Sequence, residues 1–398
     1  MKVLAIVQNL FGFGGDSVNE KQLLKNLCKY AYKCIIISPI QISKIFKIRK
    51  YYTKTYEEIG KKYSKNVLII PVPLPYVNIL AIILSPLMAF IVWILDKLYH
   101  FDIVYVRDSL MAFGLSMFRS LTSKLCVKIP AIAEDEVIKG RFITRLIYTL
   151  TDRVALLNAK VIGFPTPILF KKLVLKRMSL PKGKIIYIPP GVDKEKIELI
   201  KQNINSKKLG KEYVIGFIGS IAWWQGVDIL VKAVAKIKNL LDKPVKLLIV
   251  GDGPERRKIE ALCKKLNAYC DITGFVKHED ALKLLKIFDV LVVPRRRISS
   301  TEAVIPIKII EAWALGVPVI ATAHEIFKYM NLRDGEDIVL CEPDPEDVAN
   351  KILMILTDRE LRLRLSERGW QLAKNYFYDE IVKNFLKVFD SVRKDDHV

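Results

Sequence analysis

Residues 291–322 read LVVPRRRISSTEAVIPIKIIEAWALGVPVIAT, and the apolar run Val290 to Val293 that leads into them suits a buried strand. A basic turn follows, Pro294 to Arg297. A helix is expected from about Pro306, because proline at a first helical position gives up an N–H that has no partner there anyway. Gly316 should end it, glycine being the residue that most readily takes a left-handed cap, and Val317 to Ala321 reads as the next strand. Strand, helix, strand in this order is a parallel βαβ unit. A loop that leaves the carboxyl end of a strand and feeds a helix N-terminus offers an anion both free N–H groups and a favourable dipole. Glu302, Lys308 and Glu311 flank that terminus, and Lys308 and Glu311 are spaced to share a helical face. On spacing alone the same residues would also serve as an ion pair at an ordinary βα junction.

The alternation extends outward in both directions. Towards the C-terminus of the chain lie a turn at Asp334-Gly335 and helices reaching Val392. Towards the N-terminus, Val214 to Gly219 and Lys246 to Val250 are short apolar strands, each followed by a glycine-containing turn (Gly219, Gly253) and an amphipathic stretch. In the first half, Val3 to Val7, Cys34 to Ser38, Ile103 to Val106, Val154 to Phe164 and Ile185 to Ile188 read as strands. Gly12 to Gly15 forms a glycine-rich turn before a helical stretch, a generic phosphate-approach unit that does not match the dinucleotide fingerprint. Short strands alternating with helices throughout mean an α/β protein with parallel sheets.

A chain of 398 residues suffices for two domains of about 150–200 residues each. We expect residues 1–190 to form an N-terminal domain, 191–375 a second, and 376–398 a helix crossing back to the first. The formal net charge is +22 and lopsided. Residues 1–200 hold 31 Lys and Arg against 14 Asp and Glu, whereas residues 201–398 hold 33 against 28. A basic half points to an anionic partner: headgroups, nucleic acid or a phosphorylated acceptor. No nucleic-acid motif accompanies the charge, so nucleic acid is not the expected partner. With six scattered cysteines and four histidines, reduced thiols and no metal site are expected.

Two segments read as membrane-facing. Between Ile42 and Asn66, eight Lys or Arg residues interleave with Phe46, Tyr51, Tyr52, Tyr56 and Tyr63. Val77 to Leu95 is free of charge and long enough to span a bilayer, but Asn78, Ser85 and Pro86 interrupt it and strands bracket it. A buried helix or an interfacial apolar face is therefore expected rather than a crossing. Met1 to Val7 is too short for a signal peptide. The expected location is cytoplasmic, on the inner face of a membrane.

Glu302, Pro306, Lys308, Glu311-Ala312 and the turn Gly316 to Ala321 resemble the donor-sugar motif of retaining glycosyltransferases of family 4, the glycosyl transferases group 1, which have the GT-B fold. The resemblance implies two Rossmann-like domains facing each other across a cleft, and a nucleotide-diphosphate sugar as donor substrate, with no further cofactor. It implies that Glu311 holds the donor ribose, that Glu302 lies beside the sugar, and that the backbone at Pro306 and Ile307 meets the diphosphate. The family's common spacing has its first glutamate where Ala303 stands, one position after Glu302; some branches carry the Thr-Glu-x-Val-x-Pro-x-Lys form seen here. It also implies that Phe275 meets the base and that Gly14 and Gly15 lie near phosphate and acceptor. Where relatives place Arg and Lys clamps after the first strand of the second domain, this chain has Ser220 and Gln225, so Lys308 and Arg295 are expected to supply the charge. Arg107 stands where many relatives have a His near the reacting carbon; Asp108 and Glu134 are candidates for acceptor contacts. The acceptor is expected to be lipid-linked or a glycan. Two other readings stay open: a GT-B sugar-nucleotide epimerase, and a weakened relative that only binds sugar nucleotide.

Overall fold

The computed structural model describes residues 1–8, 10–11, 15–40, 48–59, 66–73, 78–131, 142–203 and 211–394. The chain divides into two compact units, one of Met1–Pro189 with Tyr378–Val398 and one of Pro190–Phe377.

The first unit is built on a seven-stranded parallel sheet in the order β3-β2-β1-β4-β5-β6-β7. Its strands are β1 (Lys2–Val7), β2 (Lys33–Ile40), β3 (Val67–Pro73), β4 (Ile103–Arg107), β5 (Leu125–Lys128), β6 (Val161–Phe164) and β7 (Lys184–Tyr187). Strands buried on both faces read as continuous apolar runs, as VLAIV in β1 does. The order reverses between β1 and β4, which opens a crevice at their carboxyl ends. One expected strand is shorter: Val154 to Asn158 belongs to the helix Phe142–Asn158, and only Val161–Phe164 is extended. Val154, Ala155 and Leu156 continue the helical stripe, so the apolar run there is a helix end and not a strand start.

The final helix, Tyr378–Lys394, belongs to this first unit. Tyr378, Ile381, Val382, Phe385 and Phe389 recur at helical spacing and pack into the core around Val3, Ala5, Val7 and Tyr105. Two of the rings expected at a membrane surface also turn inward: Tyr52 and Tyr56, on the helix Ile48–Ile59, stack on each other and pack against this core.

The helix Asn78–Tyr99 runs unbroken through Pro86. Proline removes the N–H that would bond the Ile82 carbonyl, and the Ser85 hydroxyl donates to that carbonyl instead, at 2.8 Å. The residues that looked like interruptions in the sequence thus repair each other. This helix lies against Ser109–Leu115 so closely that a Cβ on Gly114 would sit 2.2 Å from the Ser85 carbonyl oxygen.

The second unit carries a six-stranded parallel sheet in the order β10-β9-β8-β11-β12-β13. These strands are β8 (Tyr213–Ile218), β9 (Val245–Val250), β10 (Cys270–Ile272), β11 (Val290–Val293), β12 (Val319–Thr322) and β13 (Val339–Cys341). The order reverses between β8 and β11, again opening a crevice at the carboxyl ends. Cysteines correct one expectation. Cys28 is joined to Cys34 and Cys263 to Cys270, with Cα separations of 5.7 and 6.2 Å, each pair tying the end of a helix to the strand that follows. Cys126 and Cys341 are free and buried.

Candidate active site

In the second unit the loops leaving β8, β9 and β11 are laced together. The Gly219 amide donates to the Val250 carbonyl at 2.9 Å, and the Ile221 amide to the Asp252 carbonyl at 2.9 Å. Gly219 has φ +128°, a conformation only glycine takes without strain, and its missing side chain leaves room for Lys308: a Cβ there would lie 2.7 Å from the ammonium nitrogen. Gly253 is as tightly placed, its virtual Cβ 2.5 Å from the Ile221 carbonyl oxygen. The loop after β11 is pinned to the loop after β8. Arg296 donates its amide to the Trp224 carbonyl at 3.0 Å, and its guanidinium grips Asp228 at 2.9 and 2.7 Å.

This scaffold converges two cations on one neutral oxygen. Gln225 is buried, and its Oε1 accepts from Lys308 Nζ at 3.1 Å and from Arg295 Nε at 3.3 Å. Arg295 also lies over the Trp224 ring, 5.1 Å from its centre, and the Lys308 ammonium lies 4.2 Å from the centre of the Phe217 ring. Burial pushes the Lys308 ammonium well below its usual lysine range, and neighbouring Arg295 pushes it further, against the opposing pull of Glu311. An anion arriving beside this lysine would favour its charged form. Lys308 is the second residue of the helix Ile307–Leu315, whose N-cap is Pro306 and whose N-terminus no side chain caps. Pro306 is the cap itself, one position earlier than the first-turn place its residue type suggested. The first amides and the dipole of that terminus favour an anion at the end of the helix where Lys308 sits.

Glu311 is buried on the same helix, and its Oε1 lies 2.6 Å from His278 Nε2. His278 opens the helix His278–Lys286 and was not singled out from the sequence. Its only sequence signal is position: a histidine two residues beyond the turn Ile272 to Val276 that was read as meeting the base. Phe275 of that turn is exposed. Glu302 sits on a short helix, Ser299–Ala303, that the sequence did not reveal. Its carboxylate accepts from the Glu325 amide at 2.6 Å and lies 3.2 Å from His324 Nδ1 and 3.3 Å from Arg297. Burial alone would raise its pKa, but the Glu325 amide, His324 and Arg297 hold it below the usual carboxylate range. Ala303, at the position the family's common spacing gives to glutamate, is fully buried.

The first unit places other candidates at its own crevice. Arg107 ends β4 and turns to the buried Glu20, 3.3 Å from Oε1, where Lys128 at the end of β5 also donates at 2.5 Å. Tyr105 donates to the other oxygen at 3.0 Å. Burial pushes the Glu20 carboxyl up, yet Lys128 and Arg107 hold it below its usual value. Asp108 has φ +89°, rare for a residue with a side chain, and its Oδ1 accepts from the Leu110 amide at 3.2 Å to cap the helix Ser109–Leu115. Gly15 is the first residue of the helix Gly15–Lys29. Gly14 and Glu134 lie outside the described residues.

Burial raises the Asp108 pKa to about 6, with Asp152 adding to the rise and the Leu110 amide and Arg107 opposing it. The stability that comes from a protonated Asp108 is therefore complete below the unfolded-state value near 3.9 and lost as pH rises through about 6. Thermal unfolding between pH 4 and 7 should show Asp108→Asn, which keeps a capping side chain, losing less stability over this interval than the parent chain.

Two parallel-sheet α/β units of this kind define the GT-B architecture. Anabaena HepE in complex with UDP superposes with a TM-score of 0.72 at 14% identity, covering 98% of this chain and 100% of its own. Residues 200–371 match the family model of glycosyl transferases group 1. An uncharacterized glycosyltransferase of Methanocaldococcus jannaschii is 24% identical over 73% of this chain and 75% of its own length. The N,N'-diacetylbacillosaminyl-diphospho-undecaprenol alpha-1,3-N-acetylgalactosaminyltransferase of Campylobacter jejuni is 26% identical over 56% of this chain, and the match spans about half of its length, 55%. The segment that matches this family model contains Gln225, Lys308 and Glu311.

Proposed function

We propose that this chain moves a hexose from a nucleoside-diphosphate donor to a lipid-linked or glycan acceptor, with retention of configuration and without a metal, in the synthesis of a cell-envelope polysaccharide or glycolipid. The observation that carries this reading is the pair Lys308 and Arg295, meeting on the single Gln225 oxygen beside an uncapped helix N-terminus. Lys308 is buried and Arg295 half-buried, and a diphosphate placed at that helix terminus would meet both side chains. The UDP bound by HepE and the diphospho-undecaprenol acceptor in the Campylobacter enzyme's name support donor and acceptor classes of this kind.

In this reading the sugar–diphosphate C–O bond breaks and the bond to the acceptor oxygen forms on the same face. The leaving diphosphate takes the electron pair, and the acceptor's proton passes to a diphosphate oxygen. Lys308, Arg295 and the amides at Ile307 and Lys308 stabilise the charge that develops there, the function a metal serves elsewhere. Glu311 would hold the ribose hydroxyls, with His278 fixing its orientation. An acceptor on a lipid places the enzyme at the inner face of a membrane.

Calorimetric titration with UDP, GDP, ADP and dTDP, chelator present, tests the donor site. One nucleotide should bind, and Glu311→Ala should weaken it about 10- to 100-fold, the scale of lost hydrogen bonds to a charged group. Binding by none of the four overturns the reading.

A further inference from the structure

The helix Asn78–Tyr99 has an 18-residue window, Ile82–Tyr99, apolar enough to cross a membrane, yet only 28% of that window is buried. Ile83, Leu87, Phe90, Ile91, Ile94 and Leu98 are exposed. Their spacing repeats every three to four residues, so they form one continuous stripe about 100° wide. The opposite face is packed: Met88, Ala89, Val92 and Asp96 are buried, and Ser85 meets the backbone of Gly114. A second helix, Phe142–Asn158, packs beside it and exposes Phe142, Leu146, Leu150 and Leu157 at the same kind of spacing.

Charge distinguishes these two outer faces from ordinary surface. The helices contain one acid each, and both are turned inward and paired: Asp96 with Lys124 at 2.9 Å, Asp152 with Arg177 at 2.7 Å. The charged residues they leave exposed, Lys97, Arg145 and Arg153, are all cationic. We propose that the paired outer faces of Asn78–Tyr99 and Phe142–Asn158 form the surface by which this chain docks on an anionic lipid bilayer, lying in the interface plane without crossing it. This rests on the membrane location proposed above and deepens it by assigning the surface.

A crossing would strip the helix from Gly114, against which its backbone is in direct contact, and carry the Asp96–Lys124 pair into hydrocarbon. A second copy of the chain fits less well, because it would bring Lys97, Arg145 and Arg153 against their own counterparts. An anionic bilayer takes the stripe at the acyl boundary and the three cations at the headgroups. Of the rings in residues 42–66, Tyr52 and Tyr56 pack on the core instead, while Phe46 and Tyr63 lie outside the described residues.

Co-sedimentation of the full chain with vesicles of phosphatidylcholine, with and without 30% phosphatidylglycerol, tests this. The chain should partition onto the anionic vesicles at low salt, about tenfold or more better than onto neutral ones. The double substitution Phe90→Glu, Ile94→Glu should lower that partition at least tenfold while leaving the thermal unfolding midpoint unchanged, since both side chains are exposed. A second variant on the neighbouring helix, Leu146→Glu, should also weaken it. Equal binding by parent and variants overturns the assigned surface but leaves the membrane location standing. Sedimentation with neither vesicle overturns both. Concentration-dependent dimerisation that the same substitutions abolish, without vesicle binding, assigns the face to a second copy instead.

Discussion

Lys308→Ala should lower turnover by about 10²–10³-fold, the effect of removing one pre-organised group that stabilises a developing anion, worth on the order of 2.7–4 kcal/mol of barrier. The size of the effect follows from placement. Lys308 Nζ is buried, held by the Gln225 oxygen, and close to a second cation that already depresses its basicity. It is thus poorly solvated in the free protein and gains most where negative charge grows. The acceptor's KM should change little, which separates this role from one in acceptor binding. Lys308→Arg should not rescue activity, because the space the ammonium fills exists only for want of a side chain on Gly219. Lys308→Met, which keeps the packing, should be as inactive as Lys308→Ala. Turnover unchanged in the alanine variant would remove the assignment.

Asp152→Ala should cost about 3–5 kcal/mol of stability, the range found when one partner of a buried ion pair is removed and the other stays. Arg177 is buried among the side chains of the first unit, and its Nε and Nη2 both donate to Asp152 Oδ2, at 2.8 and 2.7 Å. The other oxygen accepts from the Ser109 hydroxyl at 2.5 Å. Truncating Asp152 leaves the guanidinium without its carboxylate in a place water does not reach. For a unit of this size, the midpoint of thermal unfolding should fall on the order of 10 °C. Replacing both partners, Asp152→Ala with Arg177→Met, should restore much of the loss, since the cost comes from an uncompensated charge and not from the missing attraction. A fall of only a degree or two in the single variant would show that Arg177 finds adequate solvation without Asp152.

Parallel strands and their helices were legible because each strand is a short apolar run bounded by turns, and the doubled βαβ alternation announces two sheets. Lys308, Glu311, Gln225 and Arg295 were legible as well, three of them close to one strand–helix junction. The unreadable parts depend on partners distant in the chain. His278 meets Glu311 across 33 positions and Lys128 meets Glu20 across 108, distances over which no sequence period carries information. Val154 to Asn158 was misread because a short apolar run fits a helix end as well as a strand. Pro86 looked like a break because the compensating hydrogen bond from Ser85 is a matter of side-chain rotation. Cysteine pairing failed for a related reason: spacings of six and seven residues carry no signature until a helix end and the next strand are known to adjoin.

The last helix has a consequence for how the polypeptide is made and cut. The second unit is one uninterrupted segment, and its two ends lie together: the Val192 amide donates to the Tyr376 carbonyl at 2.8 Å, and Val192 pairs with Phe377. Such a segment can be excised as a cassette whose new termini start out adjacent. The first unit has no contiguous counterpart, because Phe385 and Phe389 complete a core begun by Val3 and Val7. On the ribosome it cannot close until residues up to about Phe389 have emerged, after the second unit has been synthesised. Premature termination near residue 377 therefore spares the later-made unit and cripples the earlier one.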